Sequence, residues 1–251
     1  MVYIYINHYL VTISEVIILK LFKKILIIAT IIIFVILAFL GINGYILYQD
    51  TIKEISLENK VNEIRQDPNF TQLSNVSSDF KNAMIAVEDH RFYKHCGVDF
   101  IGTLRAIFIN ISTGKLQQGG STITQQLSKN MYFSNNDNII RKIAEIFVSL
   151  DLEHNYSKDE IFELYINHIY YGDGYYCISE ASNGYFNKSP IEMSQYESTL
   201  LAGVPNAPSI YAPTLNLNLA EQRQNRVLNA MLKNGYLTQD EVNSIKAEQQ
   251  T

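Results

Sequence analysis

The sequence predicts an all-α protein in which one N-terminal transmembrane helix precedes a helical domain. Three observations predict this class. A long uncharged apolar run lies near the N-terminus. Helix-start patterns, in which Ser or Thr precedes Glu by three residues, recur along the remainder of the chain. Apolar residues there follow the helical period, with little period-two alternation. The 251 residues suffice for one good-sized domain and an appendage.

The transmembrane helix is predicted over residues 25–48. Residues 25–40 carry no charge, and the apolar character continues to Tyr48 with only Asn43 and glycines intervening. About 20 apolar residues span the hydrocarbon core of a bilayer. Lysines precede the run and acids predominate after it, which places the N-terminus in the cytoplasm by the positive-inside rule. No small-residue cleavage pattern ends the run, so we expect an uncleaved anchor. A buried core helix is the alternative.

Three other segments complete the predicted organisation. Residues 1–24 are expected to form a cytoplasmic or membrane-surface segment, residues 49–75 a polar stalk with helical character, and residues 76–251 an extracytoplasmic helical domain. Within that domain, apolar residues in 141–154 repeat as they do on one helix face, and loops are expected at QQGGST and YGDGYYC. Predicted helix starts and ends are Ser157 with Glu160, Ser189 with Pro190 and Glu192, Thr238 with Glu241, Gly203 with Pro205, and Gly235.

Charge and cysteine usage narrow the function classes. The formal net charge of −5 argues against a general nucleic-acid binder, because phosphate contacts need a surplus of Lys and Arg. An anion site in this chain must therefore be a local cluster. Cys96 and Cys177 define no disulfide framework. The absence of CxxC and HExxH motifs argues against a dedicated zinc site.

The stretch AVEDHRFYKHCGVD begins where an apolar helical run ends on two carboxylates, Glu88 and Asp89. The carbonyl end of a helix and partial burial beside Val87 and Phe92 both disfavour a charged carboxyl group. This environment suits Glu88 to general-base chemistry, although Arg91 acts in the opposite direction. The alternative is an ordinary solvated helix end, since most acids lie at the surface.

The stretch GGSTITQQLSKN, residues 119–130, predicts an anion site at a helix start. Its two glycines allow a ligand to approach the backbone closely. Ser121 and Thr122 are expected to cap a helix whose free N–H groups favour an anion. Ser121, Gln125 and Lys129 follow at four-residue steps, so one face presents a hydroxyl, an amide and an ammonium group to a phosphate-bearing ligand. A capped surface helix is the alternative.

Glu145 and Arg141 lie one turn apart on the predicted helix over 141–154 and therefore face the same way. They form either a structural ion pair or an acid–base or metal-binding carboxylate beside a phosphate-binding arginine. The residues alone leave both interpretations open.

Five motifs occur in order between residues 76 and 231. They are EDHRFYKHCGVD, GGSTITQQLSKN, RKIAEIFVSLDLE, ELYINHIYYGDGYYCISEASNGYFNKSP and ESTLLAGVPNAPSIYAP, the last followed by RQNRVLNAM. In these motifs the chain resembles the peptidoglycan glycosyltransferases of family 51, the domain of class A penicillin-binding proteins and monofunctional transglycosylases. The resemblance implies a lysozyme-like helical fold and polymerisation of lipid II by an inverting displacement. Since no transpeptidase motifs follow, a monofunctional enzyme is expected.

The resemblance also implies residue roles and partners. Glu88 would be the general base, and Glu145 the second acid, holding a divalent ion (Mg²⁺ or Mn²⁺) or organising the basic residues. Lys129 and Arg141 would neutralise the diphosphate. The remaining substrate-binding residues would be Ser121, Thr122, Gln125, Asn130, Asp89 and Phe92. Expected partners are lipid II, the growing glycan strand, the bilayer and other cell-wall synthesis proteins, with no nucleic acid and no organic cofactor.

Three positions depart from the family pattern. Asp137 stands where another arginine is common, Cys177 where a glycine is usual, and Asn187 at the glycine position of YFGK. We expect Cys177 and Asn187 to stiffen or tilt their loop. The loss of a basic residue at 137 keeps a second function open, that of a non-catalytic lipid II-binding scaffold. A lytic, lysozyme-like enzyme is a third alternative, against which the Lys129 and Arg141 cluster argues.

Overall fold

The computed structural model describes residues 2–113, 119–133 and 138–249. Within these residues the protein is all α-helical, with three short 3₁₀ turns and no strand, which confirms the predicted fold class. The helices are α1 (Val2–Glu54), α2 (Leu57–Arg65), α3 (Ser78–Glu88), α4 (Phe100–Thr113), α5 (Ile123–Tyr132), α6 (Ile139–Asn155), α7 (Lys158–Ile166), α8 (Ile178–Phe186), α9 (Gln195–Gly203), α10 (Pro208–Tyr211), α11 (Leu217–Lys233) and α12 (Gln239–Glu248).

Helix α1 contains the predicted transmembrane segment and runs unbroken through 53 residues. Its part from Lys20 to Glu54 is long and apolar enough to cross a membrane, and none of its most apolar stretch is buried against the protein. A buried core helix, the alternative reading of the sequence, is therefore wrong. The backbone shows no break at residue 24 or 48, so the segment limits given above remain predictions.

The C-terminal part of α1 packs against α6. The ring of Phe147 lies 5.3 Å from the ring of Tyr45 and 5.5 Å from that of Tyr48. The Tyr48 hydroxyl donates a hydrogen bond to Asp151. Gly44 lies against Ile143, where only a glycine leaves room for the isoleucine side chain. The apolar stripe predicted for α6 thus packs on the C-terminal part of α1, while the opposite face of α6 turns toward the domain interior.

The domain core lies between two groups of helices. Helix α3 packs against α9 and α11, and α5 packs against α6 and α7. Helix α2, predicted as part of a polar stalk, also contributes Leu57, Val61 and Ile64 to this core. Burial of such side chains is the main source of stability of the domain. Fully buried members at the centre of the core are Phe80, Met84, Ile123, Leu127, Phe162, Leu201 and Val227.

Of the three capping boxes predicted from the sequence, two mark the start of a helix. The predicted boxes at Ser157 and Thr238 are confirmed, with both reciprocal hydrogen bonds present. The helix start predicted at Ser189 is wrong. Its bonds with Glu192 close a turn, because the intervening Pro190 carbonyl accepts a 3.0 Å hydrogen bond from the Ser77 N–H and ties the segment to the start of α3. Helix α9 begins after the box at Ser194 instead.

The unusual residues at 177 and 187 are both accommodated. Asn187 ends α8 with φ 54° and ψ 40°, the left-handed conformation that glycine adopts freely and asparagine tolerates better than other side chains. Cys177 has φ −144°, an extended conformation open to any residue, and its side chain is buried. Cys96 and Cys177 are both free thiols. Asp137 lies outside the described residues.

We predict that Gly44→Ala loosens the contact between α1 and α6. A Cβ atom at position 44 would lie 2.7 Å from the Cβ of Ile143, so one helix must move. The midpoint of thermal unfolding in detergent should fall by about 2–4 °C for each kcal/mol lost. Gly41→Ala is the matched control, because a Cβ there meets nothing within 4 Å. Equal unfolding midpoints for the two variants would contradict the close packing of Gly44 on Ile143.

Candidate active site

A polar cleft of about 830 Å³ opens between α3, α5, α6 and α11. Among the described residues that line it, Glu88 is the only acid, while six residues carry a Lys or Arg side chain. The chain as a whole is acidic, so this concentration of cations is the local cluster that an anion site requires. The six cations are Arg105, Lys129, Lys142, Arg223, Arg226 and Lys233.

Glu88 is the last residue of α3, and its side chain is only 11% exposed at the cleft wall. Its Oε2 accepts a 3.0 Å hydrogen bond from Gln126 Nε2. Its Oε1 lies 3.5 Å from Arg223 Nη2. Both neighbours are hydrogen-bond donors that hold the carboxylate in place at the wall. Glu88 is therefore held at the cleft wall and is not a solvated helix end.

Asp89 lies behind the cleft, not in its lining. Its buried carboxylate accepts hydrogen bonds from the backbone N–H of Ile123 at 3.1 Å and contacts Nε2 of His95 at 2.9 Å. It thereby joins the end of α3 to the start of α5. Phe92 is fully buried beside Phe162, with ring centres 6.1 Å apart. Asp89 and Phe92 support Glu88 from behind, and the structure does not bring them to the cleft surface predicted for substrate-binding residues.

The second motif supplies one wall of the cleft. Thr122 caps α5 with a complete capping box, accepting from Gln125 N at 3.1 Å and donating to a backbone carbonyl at 2.6 Å. Thr122 is buried and does not line the cleft. Ser121, Gln125, Lys129 and Asn130 do line it, so the structure brings the hydroxyl, amide and ammonium groups of this motif to the same cleft.

Helix α6 contributes two cations that surround the fully buried Glu145. Arg141 forms an ion pair with it, and Lys142 Nζ lies 2.9 Å from Glu145 Oε2. Lys142 also donates a 2.8 Å hydrogen bond to Ser121 Oγ at the cleft. Arg141 and Glu145 are not among the lining residues. The cation that this helix presents to the cleft is therefore Lys142, and Glu145 fixes it from below.

The family profile described as Transglycosylase matches residues 56–232. The chain belongs to the transglycosylase family, glycosyltransferase family 51. It is 43% identical over 169 residues to penicillin-binding protein 1A of Neisseria flavescens and 39% identical over 169 residues to penicillin-binding protein 1F of Bacillus subtilis. These alignments cover 67% of this chain but only 21% and 24% of the two relatives. The chain thus spans about a quarter or less of the curated relatives it matches.

A solved structure is also similar to this transglycosylase. The crystal structure of penicillin-binding protein 1A from Haemophilus influenzae aligns with a TM-score of 0.42 and 23% identity. The alignment covers 70% of this chain and 17% of that one.

The surroundings of Glu145 in this transglycosylase do not fit a metal ion. Two cations already neutralise its carboxylate, and a buried site would have to displace one of them. The described parts of the chain also contain no group of three or more His, Cys, Asp and Glu side chains that could hold a metal. A divalent-cation requirement stays a prediction, and no step below depends on it.

Sequence reasoning missed several lining residues. Lys142 could have been found, since it stands next to Arg141 and three residues before Glu145. Arg223, Arg226 and Lys233 recur at helical spacing in α11, but no local pattern shows that this face meets the cleft. Gln126 and the buried Tyr165 were also missed, because their importance comes from contacts between distant segments. Described lining residues not named in the sequence analysis include Gln126, Lys142, Tyr165, Arg223, Arg226 and Lys233.

Burial lowers the pKa of Lys142 to about 8, and the positive charges of Arg141 and Lys129 act in the same direction. The carboxylate of Glu145 opposes this shift but is shared with Arg141. A lysine with a pKa near 8 loses its charge as the pH rises through that value, so anion binding weakens above it.

We predict that the affinity for inorganic diphosphate, measured by titration calorimetry, begins to fall as the pH rises through about 8. Lys142→Arg should retain affinity to higher pH, because arginine keeps its charge. Because diphosphate itself changes protonation with pH, the affinities of the two proteins are compared at each pH, so that the contribution of the ligand cancels. Lys188→Arg, which alters an ion pair with Glu197 away from the cleft lining, is the control and should follow the wild type. Identical pH profiles for the wild type and Lys142→Arg would contradict this role.

Proposed function

We propose that this protein polymerises lipid II into β-1,4-linked glycan strands. The observation that carries the proposal is the largely buried carboxylate of Glu88 at the wall of the cleft. All other charged residues among the described lining are cations. A sugar hydroxyl needs a base to become a nucleophile, and a departing diphosphate needs positive charge. The family to which the chain belongs supports this reaction class. The proposal covers strand synthesis and includes no transpeptidase step.

The reaction is a single displacement with inversion. The 4-hydroxyl oxygen of the incoming lipid II attacks the anomeric carbon of the growing strand, while its proton passes to Glu88. The bond between that carbon and the diphosphate oxygen breaks, and undecaprenyl diphosphate leaves with the bonding electrons. The step resembles that of an inverting glycosidase, with a sugar alcohol in place of water.

The leaving diphosphate is proposed to bind along the wall formed by α5 and α6. Lys129 and Lys142 both line this wall, and Ser121 and Asn130 add polar groups beside them. Charge-assisted hydrogen bonds from such groups stabilise negative charge as it develops. Arg141, predicted to contact the diphosphate, acts on this proposal through Glu145 and Lys142 rather than directly.

A lipid-linked substrate suits the surface around the cleft. Helix α4 exposes five large apolar side chains, each more than half accessible. Together with the apolar helix α1, they favour a position against the bilayer, with the N-terminus inside and the domain on the extracytoplasmic side. Lipid II, the growing strand and the membrane are therefore the proposed partners, along with other cell-wall synthesis proteins. The exposed apolar residues of α4 are Phe100, Ile101, Leu104, Phe108 and Ile111.

We predict that Glu88→Gln abolishes formation of glycan from labelled lipid II while leaving thermal stability within a few degrees. The substitution keeps the shape of the side chain and removes only its basicity. Polymer length is read on a gel after digestion with and without lysozyme. Glu63→Gln, on the exposed face of α2, is the control and should polymerise as the wild type does.

Two outcomes would change the proposal. Normal polymerisation by Glu88→Gln would remove Glu88 from the role of base. Binding of lipid II by the wild type without any polymer would instead favour the non-catalytic scaffold.

We predict that Lys129→Ala weakens the binding of a phosphoglycolipid inhibitor of the moenomycin type by about tenfold or more, since a charge-assisted hydrogen bond contributes about 1.5–3 kcal/mol. Fluorescence anisotropy of a labelled inhibitor gives the dissociation constant. Lys60→Ala, which breaks an exposed ion pair with Glu63, is the matched control. Unchanged affinity in Lys129→Ala would place the diphosphate elsewhere.

A further inference from the structure

We propose that Tyr165 is a positioning residue for the carboxylate of Glu88 and acts through the side-chain amide of Gln126. Only the identity of Glu88 as the base rests on the proposed function. The contacts between the three side chains do not rest on it, because the structure shows them directly and all three side chains line the same cleft.

The three side chains form a directed chain of hydrogen bonds. The Tyr165 hydroxyl donates to Gln126 Oε1 at 3.0 Å, and Gln126 Nε2 donates to Glu88 Oε2 at 3.0 Å. A side-chain amide has one accepting and one donating end. The Glu88 carboxylate, which only accepts, selects the donating end of the amide, and the tyrosine hydroxyl holds the amide in that orientation by donating to its other end. A flipped amide would place two acceptors against each other and release the carboxylate.

Tyr165 is well suited to a fixed role. It lies on α7 with no exposed surface, and its ring packs against that of Phe162 with centres 6.4 Å apart. Burial, together with the nearby charge of Glu88, holds the pKa of its hydroxyl well above the ordinary range. The hydroxyl thus stays protonated and remains a donor throughout the working pH range.

The arrangement distinguishes the two oxygens of Glu88. Oε2 is held by Gln126, whereas Oε1 has only the longer 3.5 Å contact with Arg223. Oε1 is therefore the oxygen that can accept the proton of a substrate hydroxyl. Without the amide, the carboxylate can rotate toward Arg223, and the reacting geometry is lost even though the base is still present.

The first test compares Tyr165→Phe with Tyr171→Phe in lipid II polymerisation. Both tyrosines are fully buried, and each variant removes one hydroxyl donor. The Tyr171 hydroxyl donates to the Ile166 carbonyl at 3.2 Å, and Tyr171 does not line the cleft. In Tyr165→Phe, kcat should fall about tenfold or more with KM nearly unchanged. Equal losses in both variants would overturn the inference.

A double-mutant cycle separates positioning from a general packing effect. If Tyr165 acts only through Gln126, then adding Tyr165→Phe to Gln126→Ala causes no further loss of kcat. If the losses of kcat in the two single variants instead multiply in the double variant, Tyr165 does not act through Gln126. Thermal unfolding of each variant shows how much of its loss comes from the fold.

A third measurement needs no turnover. In protein labelled with [¹⁵N]glutamine, the side-chain amide signals of Gln126 are those that disappear in Gln126→Ala. They should move in Tyr165→Phe and in Glu88→Gln but not in Tyr171→Phe. Unmoved signals in Tyr165→Phe would overturn the inference whether or not the wild type polymerises lipid II. If the signals move in these variants but the wild type makes no polymer, only the proposed function is overturned.

Discussion

The buried carboxylate of Asp89 holds the active site together. It accepts the N–H of Ile123 at the start of α5 and pairs with His95, so the end of one helix is fastened to the beginning of another. A buried charge of this kind persists only when it is hydrogen-bonded. The neighbouring residue, Glu88, is consequently fixed relative to the helix that carries the polar face of the cleft. The proposed base and the proposed anion-binding wall therefore share one junction.

Helix α6 places charged and polar side chains among the apolar ones on its buried face. Its interior face carries Arg141, Glu145 and Ser149, all buried, whereas Ile143 and Phe147 lie against α1. Burying two charges costs several kcal/mol per ion unless they are paired. Here the pair is part of a triad whose third member, Lys142, reaches the cleft. The stability cost of the buried ions is therefore connected to the placement of Lys142 at the cleft.

Local patterns in the sequence predicted much of the fold. The apolar run gave the long helix, and the boxes at Ser157 and Thr238 gave two helix starts. The same pattern misled at Ser189, where a backbone contact from Ser77 makes a turn instead. Glu88 could be placed at a helix end, but its partner Arg223 is 135 residues away. Such contacts depend on how helices pack, which periodicity along one helix does not determine. The role of each residue in the reaction remains a prediction.

The unbroken course of α1 bears on how the protein searches for its substrate. A helix that spans a bilayer and then packs directly on the domain leaves no slack tether between lipid and cleft. In the proposed membrane position, the cleft would be free to turn about the helix axis and to diffuse laterally, but the packing of α1 on α6 would set its height above the bilayer. For a lipid-linked substrate, the encounter becomes a search in two dimensions, governed by surface density rather than by bulk concentration.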